Sequence, residues 1–231
     1  MDLDFSNTDL PEPFSGIVRL FPLPNLVVFP GIVQALHMFE ERYRAMTRDC
    51  LASDQLIAIG FFDRTEVGSE DPLHNDLNPM TCICKIVAHE QIDDGRYNLV
   101  VLGIKRARIK RELPVEQPYR MVEVEIAEDE LSQSEEQLKP LRHELIEICD
   151  AKDVLGKISD HVDIKKIINN ELSLGLLVDL ISFSGALDCG QKQIILELCD
   201  VGQRCEKLIE FLRGIKPDPK DIDFPPKFSA N

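Results

Sequence analysis

The chain is poor in aromatic residues and holds no tryptophan: aromatics make up 6% of its 231 residues. Proteins that grip single-stranded nucleic acid stack bases on aromatic side chains. Here the densest run of cations, Lys105, Arg106, Arg108, Lys110 and Arg111, has no aromatic residue interleaved. Positive charge is scarce overall. The formal net charge is −15, with 21 acidic and 13 basic residues in 1–128 and 20 and 13 in 129–231. Neither half is therefore a basic arm, and a field of this sign repels phosphate backbones and anionic membranes at long range. Long apolar runs are missing too. None approaches the ~18 residues that a membrane span needs, and the opening MDLDFSNTDLPEP lacks the apolar centre of a secretory signal. No Gly-x-x-x-x-Gly-Lys-Ser/Thr loop occurs, so nucleotide phosphates have no ready cradle. No local grouping of Ser, Cys, His and Asp supports nucleophilic catalysis.

What is present is ordinary for a soluble globular protein, with 44% hydrophobic and 29% charged residues. The length suits one large domain or two small ones. Seven cysteines at irregular spacing, with no signal before them, indicate reduced thiols and a cytoplasmic protein. Cys82-x-Cys84 lies near His89, but no second pair follows at zinc spacing, so both cysteines are expected in the core and no metal or cofactor is implied. His37, His74 and His143 form no readable ligand set.

The period of the apolar residues divides the chain. Residues 1–15 read as a disordered leader. Residues 16–128 are mostly strand, with Leu26–Phe29 and Ile32–Leu36 separated by Pro30-Gly31, then Leu56–Phe62, Thr81–Ile92, Arg96–Gly103, Lys105–Arg111 and Tyr119–Ile126. One helix interrupts them, from about Glu40 to Ala52, with Phe39, Tyr43, Met46 and Cys50 on one stripe. Residues 63–80 are expected to form a long loop. Asp94-Gly95 is a hairpin turn, because glycine tolerates the positive φ that tight turns need. After Glu128 the period becomes helical: Glu135–Asp150, Asp160–Asn170, Ser173–Phe183, and a heptad seam of Ile194, Leu198, Val201, Cys205, Leu208 and Leu212. Packing within a small bundle over 129–214 explains that seam better than a dimeric coiled coil. The proline-rich stretch 215–231 reads as a mobile tail.

The order of FPLP, VVFPG, LHMFEERYRAM, DDGRYNLVVLGIKRARI and PYRMVEVE, followed by GQKQIILELCDVGQRCEKLIEFL, resembles the N-terminal substrate-binding domain of the Lon protease family. The likeness covers about residues 17–213. Departures are small: the family usually has proline at the position of Ala35 and often at that of Glu41. The resemblance implies an α+β fold, a PUA-like, mostly antiparallel β-barrel followed by a C-terminal α-helical bundle. It also implies a free-standing domain without ATPase or peptidase modules, and hence no enzyme.

The expected function is a non-enzymatic module that binds unfolded polypeptide or a protein partner, with no membrane association. Candidate contacts are Phe61, Phe62 and the 63–80 loop. The rival is a PUA-like RNA-binding protein that uses the basic strand Lys105–Arg111. Glu40, at the start of the first helix, is expected to form a fold-stabilising ion pair with Arg106, since buried charges need partners.

Overall fold

The computed structural model describes residues 9–62, 77–152, 154, 172–184 and 187–215. Six strands occur in these segments: β1 (Ile17–Leu23), β2 (Val33–Met38), β3 (Leu56–Phe62), β4 (Leu77–Gln91), β5 (Tyr97–Leu113) and β6 (Arg120–Ala127). Five helices accompany them: α1 (Glu41–Leu51), α2 (Glu135–Ala151), α3 (Leu174–Phe183), α4 (Cys189–Glu197) and α5 (Val201–Gly214). The sheet order is β2-β5-β4-β3-β1-β6, and β6 also pairs with β5. The pairings therefore return to β5, and β2 lies outside that circuit. All pairs are antiparallel except β1–β3, whose register runs from Arg19↔Ile57 to Leu23↔Phe61. A parallel pair needs a crossover between its strands, and here β2 and α1 supply it.

β4 and β5 are long because each serves more than one neighbour. β5 pairs with β2 over Tyr97–Leu102 and with β6 over Arg106–Leu113. Register shifts at Ile83/Cys84, Ile86/Ala88 and Ile109/Arg111 bend the ribbon between these tasks. Asp94 and Gly95 occupy the turn that joins the two strands. Gly95 has φ +81°, its N–H donates to the Ile92 carbonyl, and the Arg96 N–H donates to Asp94 Oδ1.

Two apolar cores follow from the period-two alternation of the strands. A small one takes Val18 and Leu20 from β1, Leu56 and Ala58 from β3, Ile83 from β4, Ala107 from β5, and Val122 and Val124 from β6. Every strand of the closed circuit contributes, so this cluster fills its interior. The larger core lies on the opposite faces and joins the sheet to the helices through Ile57, Ile59, Cys82 and Cys84 on one side and Leu145, Leu177, Ile181, Leu208 and Leu212 on the other. The all-apolar β3 is buried at every position because it serves both cores.

Several expectations are corrected. Leu26–Phe29 forms no strand, although Val27, Val28 and Phe29 are buried. Phe39 precedes α1 and is 61% exposed, so the helical stripe consists of Tyr43, Met46 and Cys50. Leu10 and Phe14 of the expected leader pack against the small core. Residues 77–80 of the expected loop belong to β4, while 63–76 lie outside the described residues. The same holds for the helix expected at 160–170 and for 216–231 of the expected tail. The heptad seam does not run through one helix. α4 ends at Glu197, and Asp200 starts α5 by accepting from the Gln203 N–H at 2.8 Å. Ile194, the first residue of the seam, is 45% exposed.

Candidate functional site

Arg106 places the site. It sits on β5 beside Ala107. Since Ala107 faces the closed interior, Arg106 faces the helices, where its guanidinium is buried. A buried guanidinium needs acceptors. Its Nη2 donates to Asp179 Oδ1 at 2.5 Å, its Nη1 to Asp129 Oδ1 at 3.3 Å, and its Nε to the Leu196 carbonyl at 3.2 Å. Arg204 of α5, wholly buried, completes the group from the other side. It reaches Asp129 through Nη1 at 2.9 Å and Nη2 at 2.7 Å. Its Nε lies 3.4 Å from Asp179 Oδ1, an ionic approach too poorly aligned for a hydrogen bond. Two arginines thus share two aspartates across the seam between sheet and helices.

The break between α4 and α5 belongs to this arrangement. The Arg204 Nη1 also donates to the carbonyl of Leu198 at 2.9 Å, which takes up an acceptor left over at the end of α4. The strand exit after β6 runs alongside: the Glu130 N–H donates to the Cys199 carbonyl and the Val201 N–H to the Glu130 carbonyl. That pairing delivers Asp129 to the arginines. Gly175 of α3 leaves room for it, since a Cβ there would lie 2.5 Å from Asp129 Oδ2 and 2.9 Å from Arg204 Nη2. Burial raises the Asp179 carboxyl above the ordinary carboxylate range against the pull of Arg106 and Arg204.

Two cavities share Asp129 and Ser173 in their linings. The smaller, about 250 Å³, is lined by Pro30, Gly31, Ile104 and Leu176 together with Arg106 and Asp179. The larger, about 620 Å³, is lined by Leu131, Leu138, Leu172, Leu174 and Val201, with Glu135, Lys139 and Arg142 among its polar groups. Its size falls within the range of about 300–1,000 Å³ common to ligand pockets. Leu131, at its mouth, is 66% exposed.

The sequence-predicted sites fare differently. Glu40 and Arg106 do not pair. Glu40 binds Arg42 at 2.7 Å, whereas Arg106 turns to Asp179, seventy-three residues further along the chain. Phe61 and Phe62 are 7% and 5% exposed and are core residues, not contacts. Cys82 and Cys84 are likewise buried, and His89 is exposed. Burial pushes the thiols of Cys50, Cys149 and Cys205 up to about 12, which leaves them protonated and poor nucleophiles. No group of three or more His, Cys, Asp or Glu among the described residues could hold a metal ion, and no helix there is long and apolar enough to cross a membrane.

Most cations of the basic strand are paired with carboxylates. Lys105 pairs with Glu128, Lys110 with Glu125, and Arg111 with Glu123. Glu125 and Glu123 follow from the register of β6 beside β5, and Glu128 is the residue just past the end of β6. Such a surface offers phosphates little net attraction, so the RNA reading is not favoured.

Helices α2, α3 and α5 and the segment after β6 thus frame an apolar cavity that meets the ion cluster at Asp129. Comparison with known proteins gives the family. A family model described as the ATP-dependent protease La (LON) substrate-binding domain matches residues 17–214, and the chain belongs to that family. The match is to the substrate-binding domain, not to the protease or ATPase module. Lon protease 2 of Myxococcus xanthus is 29% identical over 202 residues, which cover 87% of this chain and 24% of that protein. The Lon protease of Dictyoglomus thermophilum is 28% identical over 204 residues, 88% of this chain and 24% of that one. The chain thus spans about a quarter of the length of the curated relatives it matches. Among solved structures, the N-terminal domain of Mycobacterium avium complex Lon protease has a TM-score of 0.65 at 21% identity and covers 85% of this chain and 98% of that one. The Lon N-terminal domain protein from Xanthomonas campestris gives 0.61 at 19%, covering 84% and 97%. At these identities the likeness is one of fold.

Proposed function

We propose that the chain is a non-enzymatic, cytoplasmic polypeptide-binding module that captures unfolded segments in the cleft between α2, α3 and the segment that follows β6. In this reading residues 16–128 form a PUA-like barrel and 129–214 a helical bundle. The observation that carries it is the larger cavity, with apolar walls of leucine and valine, a few polar groups at its rim, and Leu131 exposed at its mouth. An apolar side chain that docks there gains about 1.5–3 kcal/mol from burial, and the rim charges orient the backbone. The family match supports a substrate-binding role, and the paired carboxylates of β6 speak for polypeptide over RNA.

The test is a titration of a fluorescently labelled, reduced and carboxymethylated polypeptide. Binding should change by no more than about twofold between low and high salt, since apolar burial is not screened. Leu131→Asp should weaken it about tenfold or more, because a buried leucine contact is worth at least 1.4 kcal/mol. Retention from lysate of ribonucleoprotein alone, released by RNase, would show the reading to be wrong.

A further inference from the structure

The outer edge of β2 is a second surface that the cleft does not absorb. β2 pairs with β5 on one side, and among the described residues no strand covers its other side. The Gly103 N–H donates to the Ile32 carbonyl at 2.9 Å. Bonded and non-bonded pairs alternate along an antiparallel ladder. With Ile32 bonded to Gly103, the register directs the N–H and C=O groups of Gln34, Leu36 and Met38 to β5 and those of Val33, Ala35 and His37 to the outer edge. Among the described residues, the Ala35 carbonyl accepts from the side-chain amide of its neighbour Gln34, at 2.6 Å. Val33, Ala35 and His37 also have exposed side chains. Val33 is 46% and Phe39, just beyond the strand, 61% exposed.

Edge strands in native proteins are usually blunted by lysine, proline, a bulge or an inward charge. The β2 sequence, VQALHM, carries no lysine, proline, aspartate or glutamate, and its register with β5 is unbroken. We propose that this edge receives an extended polypeptide segment as an added strand, with apolar side chains at alternate positions and neutral or basic overall charge. Only an extended backbone presents donors and acceptors at the spacing of Val33, Ala35 and His37. Val33 and Ala35 favour apolar neighbours on the outward face. The net charge of −15 opposes a second copy of this chain and any acidic segment. No β2 residue lines either cavity, so the edge extends the polypeptide-binding reading to a separate surface.

The experiment uses the full chain and a labelled peptide of alternating valine and threonine with a lysine at each end. Its twin is N-methylated at every second residue. Fluorescence anisotropy should show the twin binding at least about tenfold more weakly, because each lost backbone bond is worth about 1 kcal/mol. Ala35→Pro removes an edge-facing donor without touching the β5 ladder, and should weaken the parent peptide by about the factor of one such bond, ~5-fold. Val33→Lys is a second variant that blunts the edge. Leu131→Asp should leave this peptide's affinity unchanged, which separates the edge from the cleft. Equal binding of the N-methylated twin, or no binding of the parent, would overturn the inference. So would a dimer of the free chain in analytical ultracentrifugation that Ala35→Pro dissolves, since the occupant would then be a second copy.

Discussion

The interior of the strand circuit and the seam between sheet and helices are built in opposite ways. The interior is packed from Val18, Leu20, Leu56, Ala58, Ile83, Ala107, Val122 and Val124, beside Thr81, whose hydroxyl donates to the Ile59 carbonyl. The seam buries Arg106, Asp179 and Arg204 and ties them to the half-exposed Asp129. Apolar burial is non-directional and tolerates volume-conserving exchange. A shared set of charge-assisted hydrogen bonds fixes geometry, at a desolvation cost that its partners must offset. The difference teaches that the ion cluster adds a fixed geometry to the apolar packing that joins helices and sheet, and Asp129 carries that geometry to the wall of the cleft.

The sharpest way to break this comparison is to remove the shared carboxylate. Asp179→Ala leaves two buried guanidinium groups short of a partner and should cost about 3–5 kcal/mol in urea unfolding. A loss under ~1 kcal/mol would mean the seam is not held ionically. On the sheet side, Gly103→Ala should cost less, about 1–3 kcal/mol. Its Cβ would press into the Phe29 carbonyl oxygen, and its own N–H and C=O bind Ile32 and Gly31. The smallest effect is one of pH. Hydrogen bonds from Ser132 and from the Gln203 backbone hold the Asp200 carboxylate below its ordinary value. Its stabilising contribution is therefore present above its unfolded value and is lost as pH falls through the lower folded one. Asp200→Asn keeps a capping oxygen but cannot titrate. It should flatten the acid limb of the stability profile, measured by thermal unfolding from pH 6 down to about 2. An unchanged acid limb would remove Asp200 from the account of how α5 begins.

Much of the sheet was legible because its signals are local. Asp94-Gly95 needs only a positive φ, and β2, β3 and α1 each show their own period. The seam was hidden because its partners lie far apart in the chain. Nothing near Arg106 in sequence names Asp179, and Glu40 was chosen as its partner from a region that faces Arg42 instead. Two clues were there to be read. Asp179 is the lone charge in the apolar run LGLLVDLISF. Asp200 and Gln203 form a capping pattern inside the heptad seam, which marks a new helix where periodicity alone shows one long helix. Phe61 and Phe62 misled for a related reason. An apolar pair next to a loop reads as exposed until the strand circuit supplies cover on both faces.

Hydrogen exchange of the full chain, with and without a saturating unfolded polypeptide, tests the central claim most directly. The account predicts slower exchange at the backbone amides of 129–142 and 172–175, which border the larger cavity, with the closed interior of the sheet unchanged. Unaltered exchange across both segments in the presence of bound polypeptide would contradict it.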